Sequence, residues 1–150
     1  QLSVSTSDGV LSDTDVIDIT LAPVNDAPIV SGIVPAQTTP ILSSPIAIAA
    51  TATVADIDNG TLAAATVTLS NARDGDRLDF SSQPGIVGTY DANTHTLTLT
   101  GSASVADYEA ALRSVSFSST SGDPGTRTVT ITVSDGLVDS PVQSVELDVY

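Results

Sequence analysis

The residues with the most chemistry to offer are short acidic side chains in turn-forming company. Asp56-Ile57-Asp58 sets two carboxylates one residue apart. Asn25-Asp26 pairs an amide with a carboxylate between Pro23 and Pro28, and Asp135 sits in a Ser-Asp-Gly turn. All are hard oxygen donors. Of the 18 acidic residues, 16 are Asp and only 2 are Glu. Asp favours turns, where its carboxylate bonds neighbouring backbone, and it is a frequent calcium ligand in loops. Asp74-Gly75-Asp76 is a further acidic loop, but Arg73 and Arg77 flank it and can neutralise the same carboxylates, so it reads as a solvated turn. Other chemistry is scarce. The absence of Cys excludes a disulfide scaffold, a thiolate zinc site and a thiol nucleophile. His95 is the only histidine, and no Gly-x-Ser-x-Gly elbow accompanies it. It reads as a solvent-facing hairpin residue, and the chain reads as no enzyme.

Composition narrows the partners. The chain has 150 residues and a net charge of −14, with four basic residues, all Arg. Such a balance argues against nucleic acid or an anionic membrane as partner. No apolar run approaches the ~18 residues of a membrane span. Twenty Ser and twenty Thr accompany Val, Ile, Leu and Ala, with few aromatics. That profile suits an all-β protein in a calcium-rich medium.

The elements that must position the aspartates show as period-2 alternation. Ile17, Ile19 and Leu21 alternate with polar residues; so do Val67 and Leu69, Leu97 and Leu99, Val129, Ile131 and Val133, and Val145, Leu147 and Val149. Ile46, Ile48, Ala50, Ala52 and Val54 read as one face of another strand. Many short alternating strands bounded by Gly, Asp, Asn, Pro or Ser predict antiparallel sheets packed as a β-sandwich. Asp91-Ala-Asn-Thr94 predicts a hairpin turn with Asn93 at positive φ. Thr96, Thr98 and Thr100, and likewise Thr128, Thr130 and Thr132, form rows that read as the wet face of a sheet. One segment departs from this pattern. Ser104-Val-Ala-Asp107 is a helix-start signature, and Val105, Tyr108 and Leu112 share one face, predicting a two-turn helix over 105–113.

There is an internal repeat. A strand enters a Ser-Asp-Gly turn at Asp8 and again at Asp135, 127 residues later, and a second alternating strand follows each. Residues 1–22 are therefore read as the C-terminal hairpin of a preceding repeat. Residues 23–28 form a proline-bounded linker, and 29–150 one complete repeat.

These motifs, taken in order, resemble the cadherin-like tandem repeats of large bacterial surface adhesins of the type I-secreted, RTX type. Asn25-Asp26-Ala27-Pro28 resembles the cadherin linker. Asp56-Ile57-Asp58 resembles the Asp-x-Asp motif after the second strand, and Ser134-Asp135-Gly136 the Asp-containing turn before the last strand. The resemblance implies a cadherin/immunoglobulin-like antiparallel β-sandwich with one short helix, at the bacterial cell surface. Two departures stand out: the linker is shorter than the full cadherin pattern, and Asp107-Tyr108-Glu109 reads as helix.

In a sandwich of this kind the incoming linker, the loop after the second strand and the loop before the last strand lie at one end. That gathers Asn25, Asp26, Asp56, Asp58 and Asp135. Alone, such carboxylates repel and raise one another's pKa. Calcium takes 6–8 oxygens at about 2.3–2.6 Å from flexible carboxylates and carbonyls, whereas magnesium demands a tight octahedron. Ca2+ is thus the expected cofactor, with these five residues as its ligands and Asp8 in the Asp135 role for the preceding repeat. The alternative is that the aspartates only cap turns. A bound ion would stiffen the joint between neighbouring repeats of the same chain. The expected function is a calcium-rigidified extender of a long adhesin that projects distal binding domains. The alternative is a calcium-dependent module that binds polysaccharide or another adhesin copy.

Overall fold

The computed structural model describes residues 1–150. Strands β1 (Leu2–Ser7) and β2 (Ser12–Ile17) form a hairpin by themselves. The remaining strands are β3 (Ile29–Ser31), β4 (Ala36–Thr39), β5 (Ile46–Ala47), β6 (Thr53–Ala55), β7 (Thr61–Ser70), β8 (Asp76–Asp79), β9 (Val87–Asp91) and β10 (Thr96–Ser104). Helix α1 (Val105–Ser114) follows, then β11 (Ser116–Ser119), β12 (Gly125–Ser134) and β13 (Gln143–Val149). The fold is a β-sandwich with one short helix. Its large sheet has the order β4-β13-β12-β7-β10-β9, and β5-β11-β8 and β3-β6 form smaller sheets.

Alternation explains the large sheet. Val129, Ile131 and Val133 of β12 and Val145, Leu147 and Val149 of β13 are at most 2 % exposed. With Val67, Leu69, Leu97 and Leu99 they join a core of 25 residues that includes Leu78, Tyr108, Leu112 and Phe117. Each such Val, Ile or Leu contributes about 1.5–3 kcal/mol on burial. The opposite face carries the threonines in register across three strands: Thr96, Thr68 and Thr130 in one row, Thr98, Thr66 and Thr132 in the next. Thr suits that face because its branched side chain packs well on a pleated, half-covered surface.

The helix forms as its cap signature requires. Ser104 Oγ accepts from the Asp107 N–H at 3.0 Å and donates to Asp107 Oδ2 at 2.6 Å. Tyr108, Ala111 and Leu112 face the core. The helix also ties down β6. Glu109 Oε2 accepts from the Val54 N–H at 3.0 Å, and Arg113 Nε donates to the Ala52 carbonyl at 2.7 Å. Glu109 and Arg113 themselves pair at 2.8 Å.

Five expectations need correction. The alternating run from Ile46 to Val54 is two strands in two sheets, since a turn closed by the Ala52 N–H on the Ala49 carbonyl at 2.9 Å separates β5 from β6. Ala50 points outward there. Not every strand pair is antiparallel: β4 runs parallel to β13. The Asp91–Thr94 turn places its positive φ, 50°, at His95 rather than Asn93. His95 is half-buried, and its Nδ1 lies 3.1 Å from Tyr90 Oη. Finally, Asp76 is no solvated turn residue. Its carboxylate meets Arg127 Nε at 2.9 Å, and neither side chain has any solvent exposure. The acidic loop is neutralised from β12, 51 positions away, while Arg77 pairs with Asp79.

The hairpin β1–β2 stands apart. Residues 1–24 are exposed throughout.

Candidate metal centre

Three segments meet at one end of the sandwich: the linker at 23–28, the β6–β7 loop and the β12–β13 turn. Each is shaped locally by an aspartate. Asp56 Oδ1 accepts from the backbone N–H groups of Asp58 (3.1 Å) and Asn59 (2.9 Å). Asp135 Oδ1 accepts from those of Leu137 (2.7 Å) and Val138 (2.8 Å). This is the self-bonding that makes Asp a turn residue. In both cases only one carboxylate oxygen caps the turn. The other is left to face something else.

Asp135 Oδ2 accepts from Asn25 Nδ2 at 2.6 Å and from Asn59 Nδ2 at 3.3 Å. Asn59 Nδ2 also lies 2.9 Å from Asn25 Oδ1 and 3.3 Å from Asp58 Oδ1. One amide nitrogen thus stands among oxygens from all three segments. Asp26 joins through its backbone, its N–H donating to Asp58 Oδ2 at 3.0 Å. Asp56 Oδ2 is buried and has no hydrogen-bond partner. A buried acceptor left unpaired costs about 1–3 kcal/mol, and more when charged.

The Asp135 carboxyl is held below the usual carboxylate range, first by the Asn25 amide and then by the Val138 and Leu137 N–H groups. Asp8, in the matching turn of the hairpin, is also lowered, there by the Leu11 and Val10 N–H groups.

All five residues singled out from the sequence lie at this end. Asn25, Asp58 and Asp135 are linked through side chains, Asp26 through its backbone, and Asp56 by capping the loop. Asn59 was missed, although it directly follows Asp58; no spacing rule marked it. Glu109 belongs to the helix anchor instead. As they stand, no three carboxylate or imidazole groups converge tightly enough to hold a metal ion. The donor set at the junction is mixed, amide and carboxylate, and all of its acceptors are hard oxygens of the kind calcium takes.

No family model matches the chain, and no curated protein matches it. Among solved structures the chain is similar to one from a type I cohesin–dockerin complex of Clostridium thermocellum. The identity is 8 %, the match covers 87 % of this chain and 100 % of that one, and the TM-score is 0.44. No helix is long and apolar enough to cross a membrane.

Proposed function

We propose that this chain is an extender and adhesion module of a long bacterial surface protein, and that calcium stiffens its joint. The observation that carries the reading is Asn59 Nδ2, a donor placed 2.9–3.3 Å from oxygens of three separate segments. A donor in that position bonds the oxygens that a cation would otherwise coordinate. Rotation of the Asn59 amide would put its Oδ1 in that place, beside Asn25 Oδ1, Asp58 Oδ1 and Asp135 Oδ2, with the Asn25 amide still donating to Asp135 Oδ2. The unpaired Asp56 Oδ2 supports the same reading, because a hard cation would satisfy it.

The mechanical role follows. The hydrogen bonds that join linker, loop and turn run among exposed or part-buried groups. An ion coordinated by all three removes the freedom of the joint. Extracellular calcium sites bind at about 10⁻⁴–10⁻³ M, and a ligand at ~100 times its dissociation constant adds about 2.7 kcal/mol to stability.

The test is a thermal melt in excess chelator, then in roughly 5 mM calcium, then in roughly 5 mM magnesium, concentrations above those constants. A rise specific to calcium, abolished by Asp56→Ala with Asp58→Ala, is expected. Identical melting in all three would leave the aspartates as turn caps and refute the ion.

A further inference from the structure

We propose that the β1–β2 hairpin is the closing hairpin of a second sandwich, and that its apolar face docks on a body of the same build as residues 29–128. The proposal deepens the tandem-module reading and rests on it, but it does not need the ion.

The turns of the two hairpins agree atom for atom. Asp8 Oδ1 accepts from the Val10 and Leu11 N–H groups at 2.9 and 2.8 Å, as Asp135 Oδ1 does from Leu137 and Val138 at 2.7 and 2.8 Å. Ser7 Oγ accepts from the Gly9 N–H at 3.1 Å, and Ser134 Oγ from that of Gly136 at 3.2 Å. Gly9 and Gly136 have φ of 95° and 98°, a region that favours glycine.

The pairing agrees as well. Ser7 faces Ser12 as Ser134 faces Asp139. Past one extra residue before Gln143, Val4 faces Asp15 as Ile131 faces Gln143, and Leu2 faces Ile17 as Val129 faces Val145.

Burial is where they part. Val129, Ile131, Val145, Leu147 and Val149 are at most 2 % exposed. Their counterparts Leu2, Val4, Ile17, Ile19 and Leu21 are 50, 47, 51, 60 and 88 % exposed. The hairpin carries the side chains of a core element but leaves each of them at least 47 % exposed. An isolated two-stranded hairpin is marginal in water.

The docking place can be read from the second copy. There β12–β13 sits between β7 and β4. The hairpin therefore belongs between the equivalents of those strands on another body. A second copy of this chain does not offer that place, because its own β12–β13 fills it.

The experiment compares the 150-residue chain with one carrying an added copy of residues 29–128 joined directly to Leu2. Amide hydrogen exchange of residues 2–17 is measured against that of residues 36–149 in the same sample, in chelator and in calcium. Expected is fast exchange in the original chain and slowing by about two orders of magnitude in the extended one, as for an element moved from a fraying to a core position. Val4→Asp with Ile17→Asp should abolish that slowing and leave residues 36–149 of the final unit protected. A control replaces residues 2–21 of the extended chain by a copy of 129–149. Hairpin exchange as fast in the extended chain as in the original overturns the proposal, whether or not the control folds. So does a dimer of the original chain that protects the hairpin unaided. A fast-exchanging hairpin beside an intact calcium response sinks this proposal alone; a protected hairpin with no calcium response sinks only the ion.

Discussion

Arg127 and Asp76 meet in the interior with no solvent on either side chain, Nε to Oδ2 at 2.9 Å. The guanidinium also donates to the Asp123 carbonyl at 2.9 Å and the Gly125 carbonyl at 2.7 Å. One side chain thus fixes the start of β12, the strand that ends in the Asp135 turn. Arg127→Ala leaves a buried carboxylate alone and should cost about 3–5 kcal/mol, read by urea unfolding. Asp76→Leu with Arg127→Met should recover most of that loss, because an apolar pair of similar volume carries no desolvation penalty. A double variant as unstable as Arg127→Ala would show that the carbonyl contacts, not the charge pair, dominate.

The same pair sets an acid limit. Burial pushes the Asp76 carboxyl up, but Arg127, Ser119 and the Arg73 N–H together hold it below its ordinary 3.8. A carboxyl lowered by folding adds stability above its unfolded value and loses it as the pH falls through the folded one. Urea midpoints should therefore drop as the pH falls below about 4, and Asp76→Leu with Arg127→Met should flatten that drop.

Asn25 separates two otherwise matching turns. It bonds Asp135 and is the first cause of that carboxyl's lowering, whereas backbone N–H groups alone lower Asp8. Asn25→Ala should raise the titration of Asp135 towards that of Asp8, followed by carboxyl NMR. No movement of Asp135 would mean that backbone capping suffices.

Asn59 is the donor among the oxygens. Without calcium, Asn59→Ala should destabilise the protein by about 1 kcal/mol, since it strands acceptors that are only part-buried. Asn59→Asp should destabilise it more in chelator, through like-charge repulsion, and should enlarge the gain on adding calcium. A smaller calcium gain in Asn59→Asp would argue against an ion at this place.

Glu109 anchors β6 two residues before Asp56. Glu109→Ala frees the Val54 N–H and should cost about 1–2 kcal/mol. It should also weaken the proposed calcium binding, measured by titration calorimetry, because the Asp56–Asp58 loop loses its fixed root. Unchanged affinity would show that the loop is held by its own turn.

The sequence made the sandwich readable because its strands are half-buried, and burial on one face imprints period two. It made the helix readable because Ser104 and Asp107 satisfy the first turn locally. It did not show β5 and β6 parting into different sheets, since alternation is blind to a change of partner strand. Nor did it show that the Asp76 carboxylate takes its ion pair from Arg127 and only a backbone N–H from its sequence neighbour Arg73. The junction residues were readable as turn formers, because an Asx turn is a local event. Asn59 was not, because its role depends on contacts 34 and 76 positions away.

The parallel pairing of β4 with β13 bears on load. Ala36 lies opposite Glu146 and Thr39 opposite Val149, and the ladder continues at both ends through the Pro35 carbonyl to the Glu146 N–H and the Ile41 N–H to the Tyr150 carbonyl. In a string of such units, tension from the linker passes β3, which is held by β6, reaches β4 at its first residue and leaves β13 at its last. Two parallel strands pulled from opposite ends slide along each other, so every bond between them is strained at once. A hairpin pulled from its open end would instead peel one bond at a time. If the chain serves as the proposed extender in such a string, the bonds between β4 and β13 are loaded in shear.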